Sequence, residues 1–332
     1  LKFARIQQLA ERIKSNIRQV IVGKDDVIDL LLVALISSGH VLLEDVPGTG
    51  KTLMAKAMAK SLNGSFRRIQ FTPDLLPSDL SGINYFNQKE SEFQFRPGPL
   101  FANILLADEI NRATPRTQSS LLECMEERQV TIDGVTYPLK RPFLVLATQN
   151  PVENQGTFPL PEAQLDRFLL QVSMGYPSTE EGIEILRRFK SGNPLDHIGS
   201  VADIDDIIEA QDRYSEVAVS QDLLRYIIAL VEKTRTHSEV SLGVSPRGSQ
   251  ALLKAVQVYA ILQGRDYVIP DDVKALAKPV LAHRMILKST LRAREKYAEV
   301  IIDQLLREVP VPAEDKLNAE QEAASAQHSS LA

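Results

Sequence analysis

The chain has 332 residues, of which 44% are hydrophobic and 24% charged, with a formal net charge of −5. That balance fits a soluble globular protein and argues against a surface built as a whole to hold nucleic acid. One cysteine, Cys124, excludes an internal disulfide framework and suits a reducing, cytoplasmic compartment. The five histidines form no metal-ligand spacing, no apolar run reaches the ~18 residues of a membrane helix, and nothing reads as a signal peptide. At ~150 residues per domain, the length suggests about two domains.

Apolar residues Phe3, Ile6, Leu9, Ile13, Ile17 and Val20 recur at helical spacing. After a break at Ile21-Val22-Gly23, a second helical pattern runs from Lys24 to Ser38-Gly39. The break has two readings, a helix–helix turn or an apolar wall for a nucleobase, and both stay open here. Next, Val41-Leu42-Leu43-Glu44-Asp45-Val46-Pro47-Gly48-Thr49-Gly50-Lys51-Thr52 joins a buried strand to a glycine loop. The helical segment Leu53 to Leu62 follows at once. Strand, glycine loop and helix are the context of a phosphate-binding P-loop. Glycines at 48 and 50 let successive N–H groups converge on an anion, and the helix start adds its positive end. Lys51 would reach the β- and γ-phosphates, and the Thr52 hydroxyl would bind Mg²⁺. Asp45 departs from the usual pattern, which wants a small residue there, but Asp tolerates turn conformations.

Phe66 to Phe71 alternates as a strand, and residues 72–98 read as a loop and hairpin excursion, a candidate contact surface. The run Leu100 to Ala107, ending in Asp108-Glu109, has the form of a central parallel strand delivering acids to its C-terminal edge. Asp108 would hold Mg²⁺, and Glu109 would deprotonate the attacking water. A helix from Pro115 to Glu127 carries Cys124, read as a core residue rather than a nucleophile. Residues 128–140 form a hairpin about Asp133-Gly134. Phe143 to Gln149 is another buried strand, ending at Asn150. Asn150 either meets the γ-phosphate or the attacking water, or forms a turn before Pro151.

Pro161 to Phe168 reads as a short helix, and Leu169 to Val172 as the last strand of the sheet. Composition changes at Gly175-Tyr176-Pro177-Ser178, which places a boundary between a core, 1–176, and an all-helical part, 177–310. Helices are expected near 179–190, 204–214, 221–234, 246–263, 270–285 and 298–306. Arg247 opens one of them against the helix dipole, which suggests an anionic target. The Ala-, Glu-, Gln- and Ser-rich stretch 311–332 reads as a disordered tail.

Five stretches together resemble the MoxR family of AAA+ ATPases. They are Glu44 to Thr52, Ala107 to Ala113, Ala147 to Pro151, Glu162 to Phe168 and Ser245 to Gly248, and the likeness covers residues 5 to 310. Asp45 is also found in that family. The resemblance implies an α/β fold, a P-loop αβα core with a parallel sheet followed by a helical lid. Residues 72–98 would be its helix-2 insert and 128–140 its pre-sensor hairpin. It further implies ATP and Mg²⁺ as cofactors, with Val22, Gly23 and Val46 to Leu53 about the nucleotide. Asn150 and Arg247 would act as sensors, and Arg167 as an arginine finger for a neighbouring copy. Its implied setting is a cytoplasmic, hexameric homo-oligomer that remodels, matures or metallates protein clients, with a von Willebrand factor A domain partner. The competing readings are a nucleic-acid-dependent motor or loader, disfavoured by the acidic balance, and a non-catalytic nucleotide-gated scaffold. Arg67-Arg68 and Lys140-Arg141 are local basic pairs set against the acidic balance, and such pairs usually face solvent.

Overall fold

The computed structural model describes residues 2–44, 48–149, 156–288 and 294–312. It forms two compact units, one from Gln8 to Gln211, the other from Asp212 onward with the first residues up to Gln7.

Helices α1 (Ala4–Arg18) and α2 (Asp25–Ile36) precede β1 (Val41–Glu44), α3 (Lys51–Ser61) and β2 (Phe66–Gln70). The excursion holds a short helix, α4 (Pro77–Ser81), and an antiparallel hairpin of β3 (Gly82–Asn87) and β4 (Glu92–Pro97). Then come β5 (Ile104–Asp108), α5 (Pro115–Glu127), a second hairpin of β6 (Gln129–Ile132) and β7 (Val135–Pro138), and β8 (Leu144–Gln149). The unit continues through α6 (Glu162–Leu165), β9 (Leu170–Val172), α7 (Thr179–Lys190) and most of α8 (Ile204–Arg213).

Five strands form one parallel sheet in the order β2-β5-β8-β1-β9. Central strands β1, β5 and β8 are buried almost end to end, as a sheet covered on both faces requires. One face packs Leu42, Leu105, Ala107, Val145 and Ala147 against Leu121, Leu122 and Met125 of α5. Because all five strands run the same way, their C-terminal ends share one edge. The chemistry-bearing residues of β1, β5 and β8 meet there.

The opposite edge is tied down by His40 and Arg128. His40 is fully buried; its Nδ1 accepts the Val145 N–H at 3.0 Å, and its Nε2 donates to the Met125 carbonyl at 3.1 Å. Arg128 caps α5 in a left-handed conformation, φ +52°. Its guanidinium donates to the carbonyls of Ser38 and Phe143. Burial, helped by the Arg128 charge, pushes the His40 pKa down to about 3. Cys124 is buried as expected, and burial pushes its thiol up to about 11, so it stays protonated and inert.

The two hairpins join side by side. Asn84 donates to Asp133 at 2.7 Å, and Phe95 stacks on Tyr137 with centroids 4.4 Å apart. Their outer surface leaves Ile83, Phe86, Phe93 and Val135 exposed.

The break in packing does not follow the change in composition at 175–178; it falls after Gln211. Hydrogen bonds to backbone carbonyls explain this. Asn16 donates to the Gly199 carbonyl at 2.8 Å, and Val201 and Ala202 both donate to Ser61. Arg188 reaches the Arg18 carbonyl at 2.6 Å, and Gln211 reaches Leu35 at 2.7 Å. The helical stretch 179–211 is thus stitched to α1, α2 and α3.

The second unit holds α9 (Gln221–Thr236), β10 (Val240–Leu242), α10 (Pro246–Leu262), α11 (Pro270–Leu281), β11 (Ile286–Leu287) and α12 (Arg294–Glu308). It is not all-helical, since β10 and β11 pair antiparallel. α11 ends earlier than its apolar pattern, which runs on to Met285. A 3₁₀ turn, Ala282–Arg284, replaces its last residues after Pro279, which has no N–H to give the helix. The tail from 313 lies outside the described residues.

The depressed His40 pKa has a stability consequence. An unfolded His40 takes up a proton below pH ~6.5, whereas the folded one resists until about pH 3. Stability that His40 contributes above pH 6.5 is therefore lost as pH falls through that window. Chemical denaturation at stepped pH should show a shallower decline between pH 6.5 and 3 for His40→Gln than for the parent. At pH 7 the variant should be less stable by roughly 1–3 kcal/mol, from disturbed buried hydrogen bonds.

Candidate functional site

The glycine loop reaches α3 through two residues with positive φ, Gly48 at +86° and Gly50 at +91°. A Cβ at either position would meet nothing within 4 Å. Backbone conformation, not crowding, therefore calls for glycine, and the space beside the loop is open. Gly50 is the N-cap of α3, and Lys51, Thr52 and Leu53 form its first turn, all partly exposed. The first turn itself contains no acidic residue. Helix-start amides without intrahelical acceptors and the positive end of the helix dipole make it a site for an anion. Asp45, Val46, Pro47 and Asn150 lie outside the described residues.

Asp108 ends β5, one strand away from β1 across β8, or roughly 10 Å at the usual strand spacing. It stands at the same sheet edge as the loop. Glu109 follows in a left-handed conformation, φ +55°, a costly one for a residue with a Cβ. A hydroxyl on β8 holds both acids. Thr148 Oγ1 donates to Asp108 Oδ1 at 2.6 Å and accepts the Glu109 N–H at 2.8 Å. Glu109 also pairs with Arg112, Oε2 to Nε, at 2.8 Å. On the other side of Asp108, Arg68 of β2 donates to Oδ2 from Nη2 at 2.5 Å and from Nε at 3.2 Å. Next to this row, Gln149 donates to Glu44 across β8 and β1.

Thr148 and Arg68 were not singled out from the sequence. A hydroxyl amid an apolar strand, one residue before Gln149, was the available signal for Thr148. Arg68 read as one of a solvated basic pair. Alternation along β2 sets it beside Leu106 in the register, on the face of Asp108 two residues further along β5.

The remaining candidates are more dispersed. Val22 and Gly23 lie in the turn between α1 and α2, Gly23 at φ +68°. A Cβ on Gly23 would sit 1.9 Å from Glu181 Oε1. Glu181 belongs to the capping box that starts α7, where its carboxylate accepts the Ser178 N–H at 2.8 Å. Arg167 follows α6 and pairs with Glu126 of α5, Nε to Oε2, at 3.3 Å. Arg247 is the exposed second residue of α10 in the other unit.

Among the described residues no cluster of three or more His, Cys, Asp or Glu is arranged to hold a metal. A cation at this edge would rely on one carboxylate, one hydroxyl and oxygens from phosphate and water. That sparse all-oxygen set suits Mg²⁺, which keeps its waters and binds through few protein ligands.

Known proteins share this architecture. Residues 40–170 match the ATPase family associated with various cellular activities (AAA), and residues 232–305 match the AAA lid domain. The Bacillus subtilis protein YeaC is 52% identical over 90% of this chain and 93% of its own. Chaperone MoxR1 of Mycobacterium tuberculosis is 43% identical over 91% of this chain and 82% of its own. A solved structure of a candidate ATPase from Cytophaga hutchinsonii aligns with a TM-score of 0.87 at 40% identity, covering 94% of this chain and 97% of that one. The α/β core with its parallel sheet and helical lid, the glycine loop and the likeness to MoxR1 agree: the chain belongs to the MoxR family of AAA+ ATPases.

Proposed function

We propose that this ATPase uses Mg²⁺ and ATP to drive chaperone-like remodelling of protein clients, with maturation or metal insertion as the outcome. The observation that carries the reading is the shared sheet edge. The positive start of α3 and the pair Asp108–Glu109 face the same end of the strands, with Thr148 fixing both acids.

In this reading the amides of Gly48 to Leu53 and the Lys51 ammonium hold the triphosphate. Thr52 and Asp108 hold Mg²⁺, which when bound screens the charge that builds on the phosphate oxygens. Glu109 takes a proton from the attacking water. Its left-handed backbone and the Thr148 bond to its N–H fix how the chain leaves β5 at this residue. Val46 and Pro47 complete the loop, and Val22 and Gly23 flank the base. Asn150 contacts the γ-phosphate or the water, and Arg247 senses the nucleotide from the lid.

Arg167 serves a neighbouring copy in a hexameric ring, an assembly consistent with the oligomeric habit of AAA+ ATPases. Client binding and a von Willebrand factor A domain partner follow the family resemblance, and the chaperone name of MoxR1 supports that part of the reading. No helix among the described residues is long and apolar enough to cross a membrane, which is compatible with a cytoplasmic setting. The nucleic-acid reading loses support at its own basic residues. Arg68 is engaged with Asp108, and Arg141 donates to Gln211 at 3.2 Å.

Four variants test these roles. Glu109→Gln should bind ATP like the parent while phosphate release falls by about 10²–10⁴, the range for a general base. Parental turnover would remove Glu109 as the base. Arg167→Ala should lose about 10³–10⁵ in rate, the worth of a finger in trans, with nucleotide affinity kept. Mixing it with Lys51→Ala should restore part of the rate if the arginine acts across copies, and none if it acts within one. Thr148→Val should keep the fold, since the residue packs as an isostere in a buried strand. Its kcat should drop at least tenfold as both acids lose their shared anchor, and parental kcat would refute the anchoring.

A further inference from the structure

The contacts around Asp108 leave its carboxylate with little to offer a cation. Oδ1 accepts the Thr148 hydroxyl at 2.6 Å, and Oδ2 accepts two N–H groups of Arg68, at 2.5 and 3.2 Å. The guanidinium also touches Gln70 Oε1 at 3.5 Å. The two partners differ in freedom. The Asp108 side chain is 14% exposed and held on a central strand, whereas Arg68 is 48% exposed and springs from β2 at the end of the sheet order. Arg68 can therefore leave without disturbing the sheet, and Asp108 cannot. A divalent ion coming to Oδ2 would meet both an occupied lone pair and a positive charge.

We propose that Arg68 is a positioning residue that guards the metal ligand: it holds Asp108 closed to divalent cations until it swings outward, so that metal entry and Arg68 departure are one exchange. This rests on the reading of Asp108 as the Mg²⁺ ligand. Metal binding therefore carries the cost of breaking a charge-assisted, two-point hydrogen bond, so the apparent affinity for the cation is set below what the oxygens alone would give.

Binding of Mn²⁺, followed by electron paramagnetic resonance of the free ion, tests this with the full chain and a non-hydrolysable ATP analogue. Arg68→Ala should bind Mn²⁺ about tenfold more tightly than the parent, the effect of losing one exposed charge-assisted contact. Arg68→Lys keeps the charge but loses the two-point geometry and should fall between them. Unchanged or weaker Mn²⁺ binding in Arg68→Ala would overturn the guard and make Arg68 a mere support for the carboxylate. Asp108→Ala separates the two claims. It should bind Mn²⁺ at least tenfold more weakly, and if it binds like the parent, the metal-ligand reading itself fails. Arg68→Gln, which retains a donor and fills the same space, provides the comparison if the alanine variant folds poorly.

Discussion

A single threonine hydroxyl at the end of β8 sets the geometry on which the site depends. The Thr148 hydroxyl donates a hydrogen bond to Asp108 and accepts one from the Glu109 N–H, so two consecutive residues are tied to one oxygen. The arrangement works because the strands are parallel and in register. Ala107 pairs with Ala147, so the next residue on each strand falls side by side. The left-handed turn at Glu109 costs about 1–2 kcal/mol, and the bond from its amide offsets part of that. An enzyme that must hold two acids apart in role yet adjacent in sequence needs such a restraint. Without it Asp108 would keep only its contact with the more exposed Arg68, and the Glu109 N–H would lose the hydroxyl it donates to.

The insertions obey a different logic. Each hairpin leaves the sheet rhythm and returns, and the two then meet through Asn84–Asp133 and the Phe95–Tyr137 stack. Their inner aromatic contacts hold them together, while Ile83, Phe86 and Phe93 face outward. Leu80 of the first insertion and Val130 of the second are buried in the same apolar cluster as Leu42, Leu105 and Val145, so both insertions are anchored on the core of the sheet.

Much of this was legible in the residues themselves. Unbroken apolar runs announce the buried strands, Leu144 to Ala147 nearly to the residue, although β5 begins at Ile104 rather than Leu100, and the glycine spacing marks the loop. What escaped notice depended on register or distant partners. Arg68 reads as solvated until β2 is laid beside β5, and Thr148 reads as an ordinary strand threonine until its neighbours across the sheet are known. The break after Gln211 was hidden because the bonds from Gly199, Val201 and Ala202 to α1 and α3 leave no mark on composition. The pairing of β10 with β11 was missed because two or three residues are too few to show a period.

The strands of the sheet have unlike ends. At their entry, His40 and Arg128 knit β1, β8 and α5 together through carbonyls and amides that take no part in catalysis in this reading. At their exit stand Asp108, Glu109 and Thr148. Robustness and reactivity are thereby kept a strand's length apart. A lineage of such proteins can retune turnover at one rim while the other goes on guaranteeing that there is a sheet to work from.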